Sequence, residues 1–315
     1  MFLDLIAITS SSFCKNEILR KEISAYFKNI RFNNTGKVIP VSDLPEFLQG
    51  CSGAIIGLEQ ITDDLLGQLS KLRIISKYGV GLDNIDLAAL EKRGILLGWT
   101  PGVNKRSVAE LVLCFMLGLQ RNIFFSGFQL KQGKWIKDGG WELTNKTVGI
   151  IGCGNIGKEL VPFLKMFGCR IIVNDILTFT EFYANHEIVP LSLDDLLQEA
   201  DIVSLHVSLT EETHHLISAP EFKKMKRSAV LINTSRGDVV DEMALKEALK
   251  EGLIRAAALD VFHGEPPVDL ALLSLPNLMV TPHIGGNALE AVLAMGRSAI
   301  DHLVRYFSGG EKNSY

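Results

Sequence analysis

Three glycines in the middle of the chain have the spacing of a phosphate-binding turn. Gly152, Gly154 and Gly157 form a GxGxxG pattern between an apolar run, Val148–Ile151, and a helical pattern that continues to Phe167. In such a turn the first glycine permits the tight bend, the second lets the backbone approach a pyrophosphate, and the third allows the helix to pack closely on the strand. The helix N-terminus adds free N–H groups and a favourable dipole. We therefore predict that a dinucleotide binds here, through Gly152, Gly154, Asn155, Ile156 and Gly157.

An acidic residue after the next predicted strand bears on the kind of dinucleotide. Asp175 lies 18 residues beyond Gly157, directly after Arg170–Asn174. A carboxylate at this position accepts hydrogen bonds from the adenosine ribose hydroxyls and repels a 2′-phosphate. The next residues, Ile176–Thr178, include no arginine or lysine to hold such a phosphate. The pattern favours NAD over NADP. The alternative role for Asp175 is to cap a surface loop without contacting a cofactor.

Three polar residues, Arg236, Glu265 and His283, follow predicted strands in the second half of the chain. Ligands of open α/β sheets bind beyond the carboxyl ends of the strands, so all three side chains could face one cleft. Histidine is the natural proton donor for reduction of a carbonyl near neutral pH, and a nearby carboxylate would raise its pKa. Arginine suits bidentate binding of a substrate carboxylate. Each residue also has an ordinary structural explanation, and spacing alone does not bring the three together.

Composition argues against several classes of protein. The 315 residues are enough for about two domains, with 47% hydrophobic and 22% charged residues. The formal net charge is −4 and no basic run stands out, so we expect no nucleic-acid partner. The longest apolar stretch, Val108–Leu119, contains Glu110 and is shorter than the roughly 20 residues of a membrane span. The N-terminus resembles a strand more than a signal peptide, so we expect a cytoplasmic protein with no membrane partner.

The five cysteines are scattered and include no CxxC pair. Disulfide frameworks and zinc sites built on cysteine need regular spacings of this residue. The sequence therefore predicts neither a disulfide framework nor a metal site.

Short apolar runs alternate with helical patterns along most of the chain, which predicts doubly wound α/β architecture with parallel sheets. The predicted strands are nearly continuous apolar runs, as in sheets covered on both faces: Leu3–Thr9, Ala54–Ile56, Ile74–Ser76, Val148–Gly152, Arg170–Asn174, Ile202–Leu205, Ala229–Asn233, Ala256–Val261 and Leu278–Thr281. The predicted helices are Lys15–Phe27, Ser107–Arg121, Ile156–Phe167, Leu193–Glu199, Asp241–Glu251 and Ala288–Phe307. Two sheets are expected, separated after Gly98 by the 107–121 helix and a connector rich in glycine and tryptophan. The C-terminal helix is expected to pack back on the first domain.

Six sequence blocks, in this order, resemble the D-isomer-specific 2-hydroxyacid dehydrogenases over nearly the full length of the chain. They are KYGVGLDNID (Lys77–Asp86), TPGVNKRSVAEL (Thr100–Leu111), GIIGCGNIG (Gly149–Gly157), NTSRGDVVDE (Asn233–Glu242), AALDVFHGEPP (Ala257–Pro267) and TPHIGG (Thr281–Gly286). The resemblance implies an NAD-dependent oxidoreductase with a Rossmann NAD-binding domain (101–287) inserted in a flavodoxin-like substrate-binding domain (1–100 plus 288–315). It also implies a homodimer built largely around the 107–121 helix and the connector after it.

The resemblance assigns roles that spacing does not. Arg236 would bind the substrate carboxylate and carbonyl, His283 would be the acid/base, and Glu265 would orient His283 and tune its pKa. Formate dehydrogenases are similar but carry glutamine in place of Glu265, so the glutamate favours a 2-hydroxy acid. Further residues would contact the cofactor: Asp260 beside the nicotinamide amide, His206, Val207 and Thr234 along the cleft, Thr213 near a phosphate, and Gly286 in the last block.

The substrate is expected to meet Lys77, Tyr78, Gly79 and Asn104, together with Arg236. The segment around Lys77 resembles that of short D-3-phosphoglycerate dehydrogenases. The leading substrate is therefore 3-phosphoglycerate, a precursor in serine biosynthesis. One departure concerns the loop Ile56–Gln60, which has the acidic Glu59 and no arginine where those enzymes often bind the phosphate. The sequence ends at Tyr315, so we expect no C-terminal serine-binding regulatory domain.

Other substrates and one other class of protein remain open. Glyoxylate or hydroxypyruvate reduction is the main alternative, and phosphite oxidation is a remote one. A non-catalytic NAD-sensing corepressor uses the same fold and retains the same arginine, glutamate and histidine. We expect no long extension of the kind that recruits partners to such corepressors.

Overall fold

The computed structural model describes residues 1–137 and 139–310. They form two compact units, one made of Met1–Asn104 with the chain from Asn287 onward, the other of Lys105–Gly286. Each unit is built on its own parallel sheet, so the predicted two-sheet α/β architecture is confirmed.

The first unit has a five-stranded sheet with the order β2-β1-β3-β4-β5. Its strands are β1 (Phe2–Ile8), β2 (Phe27–Phe32), β3 (Gly53–Ile56), β4 (Ile74–Lys77) and β5 (Leu96–Gly98). Its helices are α1 (Ser11–Lys15), α2 (Glu17–Tyr26), α3 (Leu44–Leu48), α4 (Asp63–Gly67), α5 (Leu87–Lys92) and, near the end of the chain, α14 (Leu289–Phe307). This strand order is the one found in flavodoxin-like sheets.

Helix α14 packs on the sheet of the first unit, as the sequence predicts. The Ser76 hydroxyl in β4 donates a hydrogen bond of 2.9 Å to the carbonyl of Ala299 in α14. A Cβ atom added to Gly98 would lie 2.5 Å from Cβ of His302, so the glycine in β5 is needed for this close approach. The C-terminal segment is therefore part of the first unit.

The second unit has a seven-stranded sheet with the order β12-β11-β10-β9-β6-β7-β8. Its strands are β6 (Thr147–Ile151), β7 (Arg170–Asn174), β8 (Val189–Pro190), β9 (Ile202–Leu205), β10 (Val230–Asn233), β11 (Ala256–Leu259) and β12 (Leu278–Val280). Its helices are α6 (Lys105–Gln120), α7 (Ile123–Lys131), α8 (Asn155–Met166), α9 (Thr180–Asn185), α10 (Leu193–Glu199), α11 (Ala219–Lys224), α12 (Glu242–Lys250) and α13 (Leu270–Leu273). The order reverses between β6 and β9, which is the Rossmann topology with its ligand crevice at the reversal.

The central strands of the second unit are buried along their whole length. Every residue of β9, β10 and β11 is buried, because helices cover both faces of the sheet. This explains why these strands are continuous apolar runs with no alternation. One core lies against α6 and α8, and a second core lies on the other side of the sheet.

The structure departs from the predicted elements at several points. The helix predicted over 15–27 is two helices, because Asn16 ends α1 and its side chain caps α2 by accepting from the N–H groups of Ile18 and Leu19. The predicted connector after the long helix begins as helix α7, whose residues are all at least partly exposed. Three short or partly exposed strands, β2, β5 and β8, were not predicted.

Helices α6 and α7 also bear on membrane insertion. Within the described residues, no single helix has both the length and the apolar character needed to cross a bilayer. Together α6 and α7 meet the criterion by length and composition only, and they are bent by 64° at the break between them.

Candidate active site

The glycine turn after β6 has the tight geometry that the motif predicts. Gly152 has φ of +90°, a backbone conformation that residues with a side chain rarely adopt. Its N–H donates to the Asn174 carbonyl at 2.9 Å. A Cβ atom on Gly152 would lie 2.7 Å from the His206 carbonyl oxygen. A Cβ atom on Gly157 would lie 2.5 Å from the carbonyl oxygen of Gly152. Both positions therefore require glycine for the fold itself.

Gly154 is different, because the space beside it is open. It is the N-cap of α8, with φ of −78°, and an added Cβ atom would meet no described atom within 4 Å. No side chain of the described residues caps this end of the helix. An uncapped helix N-terminus with open space before it can bind a phosphate through its N–H groups, which start at Asn155 and Ile156.

Asp175, directly after β7, is bonded to the turn on its neighbouring strand. Its Oδ2 atom accepts from the Cys153 N–H at 2.5 Å, and its Oδ1 atom accepts from the Leu177 N–H at 2.8 Å. A carboxylate has about four lone-pair positions, so it can accept from ribose hydroxyls as well. The predicted ribose contact and the alternative of a loop cap are therefore compatible. Ile176, the next residue, is 99% exposed.

Two other predicted cofactor residues have buried polar atoms without a partner in the described part of the chain. One is Nδ1 of His206, whose Nε2 lies 2.9 Å from the Ser204 hydroxyl, and the other is the hydroxyl oxygen of Thr234. Burial lowers the pKa of His206 to about 4, so its ring is neutral at pH 7. Buried polar atoms of this kind normally have partners, so they fit a site completed by a polar ligand.

The remaining cofactor candidates of the second unit lie in loops. Val207 follows His206, and its Cγ1 atom would lie 3.0 Å from a Cβ atom on Gly152. The Thr213 hydroxyl donates to the Ser208 carbonyl at 2.6 Å and so is bonded within its own loop. Gly286 ends the TPHIGG block and is partly buried.

Asp260, after β11, organises the loop that carries His283. Its side chain is buried, and its carboxylate accepts from the Thr281 hydroxyl at 2.5 Å and from the N–H groups of Ile284 and Gly285, each at 2.8 Å. The Asp260 carbonyl also accepts from the His283 N–H at 2.8 Å. These four bonds account for the conformation of the loop, in which His283 has φ of +53°.

Glu265 and His283 form a hydrogen-bonded pair. Nδ1 of His283 lies 2.7 Å from Oε2 of Glu265, whose Oε1 accepts from the Phe262 N–H at 3.3 Å. The bond to Glu265 is the main reason that the pKa of His283 is raised above its ordinary value. Burial would raise the pKa of Glu265, but the bond to His283 and the charges of His283 and Arg236 hold it below the ordinary value. With Nδ1 engaged, Nε2 is the nitrogen that can exchange a proton with a ligand.

Arg236 lies in the turn after β10, beside this pair. Its NH1 group donates to the Ser235 carbonyl at 2.7 Å, and its own carbonyl accepts from the Asn233 amide at 2.8 Å. Its positive charge acts on the pKa of both Glu265 and His283. Strands β10, β11 and β12 are neighbours in the sheet, so their carboxyl ends bring together three residues that spacing alone leaves apart.

Apart from Arg236, the predicted substrate residues belong to the first unit, and Lys77 is the most informative of them. Its side chain is buried, and Nζ donates to the Gly57 carbonyl and to Oδ1 of Asn84, each at 2.6 Å. Glu59 is buried as well, and its Oε2 accepts from the Gly57 N–H at 2.8 Å and from the Thr9 hydroxyl at 2.7 Å. Lys77 thus holds the loop after β3 in place, and Glu59 is a part of the same network.

The other three predicted substrate residues show different environments. The Tyr78 hydroxyl lies 3.2 Å from the Ser12 hydroxyl, and burial raises the pKa of this tyrosine. Gly79 has φ of +121°, which requires glycine. Oδ1 of Asn104 is buried and has no partner among the described residues, so it can accept a hydrogen bond from a ligand.

Sequence reasoning missed two residues that support the site. Asn84 bonds Lys77, and Thr281 bonds Asp260. Both lie in sequence blocks quoted above, KYGVGLDNID and TPHIGG, but the spacing of the residues does not predict which side chains they contact.

A histidine that can exchange a proton and a dinucleotide turn, both at carboxyl ends of strands of one parallel sheet, are typical of a nicotinamide-dependent dehydrogenase, and this is the class that the fold and the geometry indicate. Residues 113–285 match the sequence model of the "D-isomer specific 2-hydroxyacid dehydrogenase, NAD binding domain". The chain therefore belongs to the D-isomer specific 2-hydroxyacid dehydrogenase family, whose members are NAD-dependent oxidoreductases. The open Gly154 and the unpartnered Thr234 hydroxyl fit NAD as the cofactor.

Individual relatives agree with this family. The chain is 37% identical over 292 residues to a hydroxypyruvate reductase of Thermotoga maritima, covering 91% of this chain and 92% of that protein. It is 40% identical over 253 residues to a D-3-phosphoglycerate dehydrogenase of Methanocaldococcus jannaschii, covering 79% of this chain but only 48% of that protein. Among solved structures, D-lactate dehydrogenase from Aquifex aeolicus complexed with NAD and lactic acid is similar, with a TM-score of 0.83, 26% identity, and coverage of 97% of this chain and 96% of that one.

Proposed function

We propose that the chain reduces a short, unphosphorylated 2-oxo acid, hydroxypyruvate or glyoxylate, to the D-2-hydroxy acid with NADH, and catalyses the reverse oxidation. The observation that carries this proposal is the His283–Glu265 pair, with 2.7 Å between Nδ1 and Oε2, beside the charge of Arg236. An acid with a raised pKa and an adjacent guanidinium is what carbonyl reduction requires of a protein.

Each of the three residues has one role in the reaction. Arg236 binds the substrate carboxylate and polarises the carbonyl. His283 gives the proton on Nε2 to the carbonyl oxygen, and Glu265 stabilises the imidazolium before transfer. The nicotinamide, when bound, supplies the hydride to the carbonyl carbon. In oxidation the His283 ring takes the hydroxyl proton back.

The preference for an unphosphorylated acid rests on Lys77 and Glu59. From sequence, Lys77 is the leading cation for a substrate phosphate. In the structure its Nζ already donates to Gly57 and Asn84, and the loop that would bind the phosphate has a buried Glu59 and no arginine. A phosphate dianion bound here would compete with Gly57 and Asn84 for the Lys77 amino group and would lie near the carboxylate of Glu59. The 37% identity to a hydroxypyruvate reductase over most of both chains supports the same choice.

A second candidate substrate is 3-phosphoglycerate, the substrate that the sequence favours. It is supported by the 40% identity to a D-3-phosphoglycerate dehydrogenase, although the match spans about half of that protein. It is also compatible with Asn104, whose buried Oδ1 atom has no hydrogen-bond partner among the described residues and could accept from the substrate hydroxyl. This candidate would make the chain an enzyme of serine biosynthesis.

The experiment that decides the substrate is NADH oxidation by the purified full chain with four acids in parallel. Hydroxypyruvate, glyoxylate, pyruvate and phosphohydroxypyruvate are compared by kcat/KM at one ionic strength. We expect hydroxypyruvate or glyoxylate to exceed phosphohydroxypyruvate by at least about tenfold, which corresponds to about 1.4 kcal/mol. A preference for phosphohydroxypyruvate would contradict the proposal and support the second candidate. NADH binding without turnover of any of the acids would instead favour the NAD-sensing corepressor.

A cytoplasmic homodimer remains part of the proposal. Helix α7 and its surroundings carry exposed large apolar side chains, among them Phe124, Phe128 and Trp135 at 55%, 60% and 76% exposure. Adjacent apolar side chains of this size are typical of interfaces. The molecular mass by light scattering tests the dimer, and a single-chain mass at micromolar concentration would contradict it.

A further inference from the structure

Three potential metal ligands lie together in the second unit, outside the residues that the proposed reaction uses. Nitrogen atoms of His214 and His215 and a carboxylate oxygen of Asp238 all lie within 4.8 Å of one another. We infer that these three residues form a binding site for a divalent late transition-metal ion, with Zn²⁺ as the best fit. The sequence does not predict such a site, because the scattered cysteines argue against a zinc site and say nothing of where histidine side chains meet.

The backbone holds the two segments of the site in register. The His215 N–H donates to the Asp238 carbonyl at 2.7 Å, and the Ile217 N–H donates to the Val239 carbonyl at 3.1 Å. The Asp241 N–H in turn donates to the Ile217 carbonyl at 3.0 Å. His215 has φ of +52°, a conformation uncommon for a residue with a side chain. The ligands are therefore brought together by paired backbone segments and not by the chance positions of long side chains.

The chemistry of the three side chains selects the kind of ion. Two imidazoles and a carboxylate suit Zn²⁺, Co²⁺, Ni²⁺ and Cu²⁺, whereas Mg²⁺ and Ca²⁺ prefer ligands that are all oxygen. Three protein ligands would leave one position of a tetrahedral ion for water. The two imidazole rings are stacked with centroids 4.0 Å apart, and both are exposed. Ligand atoms bound about 2.1 Å from a tetrahedral ion lie roughly 3.4 Å apart, so binding requires these exposed side chains to rotate and bring their nitrogens closer together.

Asp238 already has one partner, and this partner does not exclude an ion. Nδ1 of His263 forms a short hydrogen bond with Oδ1 of Asp238. A carboxylate has two oxygens, so one can bind the ion while the other keeps the imidazole. His263 is largely exposed. Its bond to Asp238 can orient this carboxylate toward the ion, as groups around a metal site commonly orient its ligands.

An ion at this site would act on the turn that follows Arg236. Asp238 lies in the 3-10 turn Gly237–Val239, and the Val239 N–H donates to the Arg236 carbonyl at 3.3 Å. The ion would join this turn to the loop that holds His214 and His215. Because it would bind the folded chain and not the unfolded one, it would stabilise the fold by mass action.

The test is a titration of the full chain, freed of metals by EDTA and dialysis, with ZnCl2 in a calorimeter. We expect one ion per chain, with affinity lowered by about tenfold or more in His214→Gln and in His215→Gln. Asp238→Asn is expected to weaken binding in the same way. The matched control is His186→Gln, which changes a histidine that stacks on Phe182 after α9 and is expected to leave the affinity unchanged. With CoCl2 in place of zinc, the visible absorption of the wild type should indicate nitrogen and oxygen ligands and be lost in His215→Gln.

Two results would overturn the inference. One is zinc binding that is equal in the wild type and in His214→Gln and His215→Gln, or equally weakened by His186→Gln. The other is binding that depends on the two histidines but not on Asp238, which would indicate adventitious binding by adjacent surface imidazoles. The thermal midpoint is an independent readout, because saturating ZnCl2 should raise that of the wild type and leave that of His215→Gln unchanged.

Discussion

The Nδ1 atom of His283 lies 2.7 Å from the Oε2 atom of Glu265, although the two residues are 18 positions apart in the chain. Glu265 lies in the loop after β11 and His283 in the loop after β12, and these two strands are adjacent and parallel. The bond raises the pKa of His283 and lowers that of Glu265, so the pair favours an imidazolium next to a carboxylate. The bond thus favours the protonated ring, which is the form that donates a proton when a carbonyl is reduced.

Removal of the imidazole should abolish turnover without abolishing cofactor binding. We expect His283→Ala to lower kcat for oxo-acid reduction by about 10² to 10⁴-fold, the usual contribution of a general acid. The dissociation constant of NADH, measured by fluorescence, should change little. His186→Ala is the control for loss of a histidine elsewhere. Turnover that survives in His283→Ala would rule out this residue as the acid.

Removal of the charge on Glu265 should shift the pH profile. The raised pKa of His283 means that the acid form is present at lower pH and is lost as pH rises through that pKa. In Glu265→Gln the pKa of His283 falls, so the decline of kcat/KM for reduction should move to lower pH. Glu242→Gln is the control, because Glu242 accepts from the His263 N–H and not from His283. A profile that does not move in Glu265→Gln would show that another group sets the decline.

Asp260 should act as a positioning residue for the loop of His283. In Asp260→Asn an amide nitrogen replaces one of the two buried carboxylate oxygens. Either Gly285, or both Thr281 and Ile284, then lose their acceptor. We expect a loss of about 2 kcal/mol in the free energy of unfolding, measured in urea, together with a lower kcat. Asp269→Asn is the control, because Asp269 caps α13 and should affect stability without affecting kcat. An unchanged kcat in Asp260→Asn would leave this residue a purely structural role.

Asp175 should determine the choice between NADH and NADPH. Asp175→Ala removes the ribose acceptor, and we expect KM for NADH to rise by about tenfold or more while discrimination against NADPH relaxes. Glu181→Ala removes the same charge from an exposed position in α9 and should change neither value. Equal use of NADPH and NADH by the wild type would refute this role of Asp175.

Substitution of Gly154 should affect cofactor binding alone, whereas substitution of Gly152 should affect folding as well. A Cβ atom on Gly154 meets no described atom, so Gly154→Ala should keep a thermal midpoint close to that of the wild type yet weaken NADH binding. Gly152→Ala should lower both, because φ is +90° there and the Cβ atom would lie 2.7 Å from the His206 carbonyl. Unchanged NADH affinity in Gly154→Ala would mean that the pyrophosphate does not approach this glycine.

The sequence alone determined the parts of this protein that depend on neighbours along the chain. Buried strands such as β9 and β10 are continuous apolar runs. The glycine spacing of the turn after β6 follows from the positive φ of Gly152 and from the close approach of Gly157 to the Gly152 carbonyl. Edge strands such as β2 were missed, because part of their length is exposed and has no continuous apolar pattern.

Only the tertiary structure decided which side chains meet. The Lys77 amino group bonds to Gly57 and Asn84, whereas the sequence predicts that this residue contacts the substrate. The tertiary structure also brought His214 and His215 close to Asp238, more than 20 positions further along the chain. The reason is that the sequence pattern predicts strands and turns, whereas side-chain partners depend on strand order and loop conformation, which contacts distant in sequence determine.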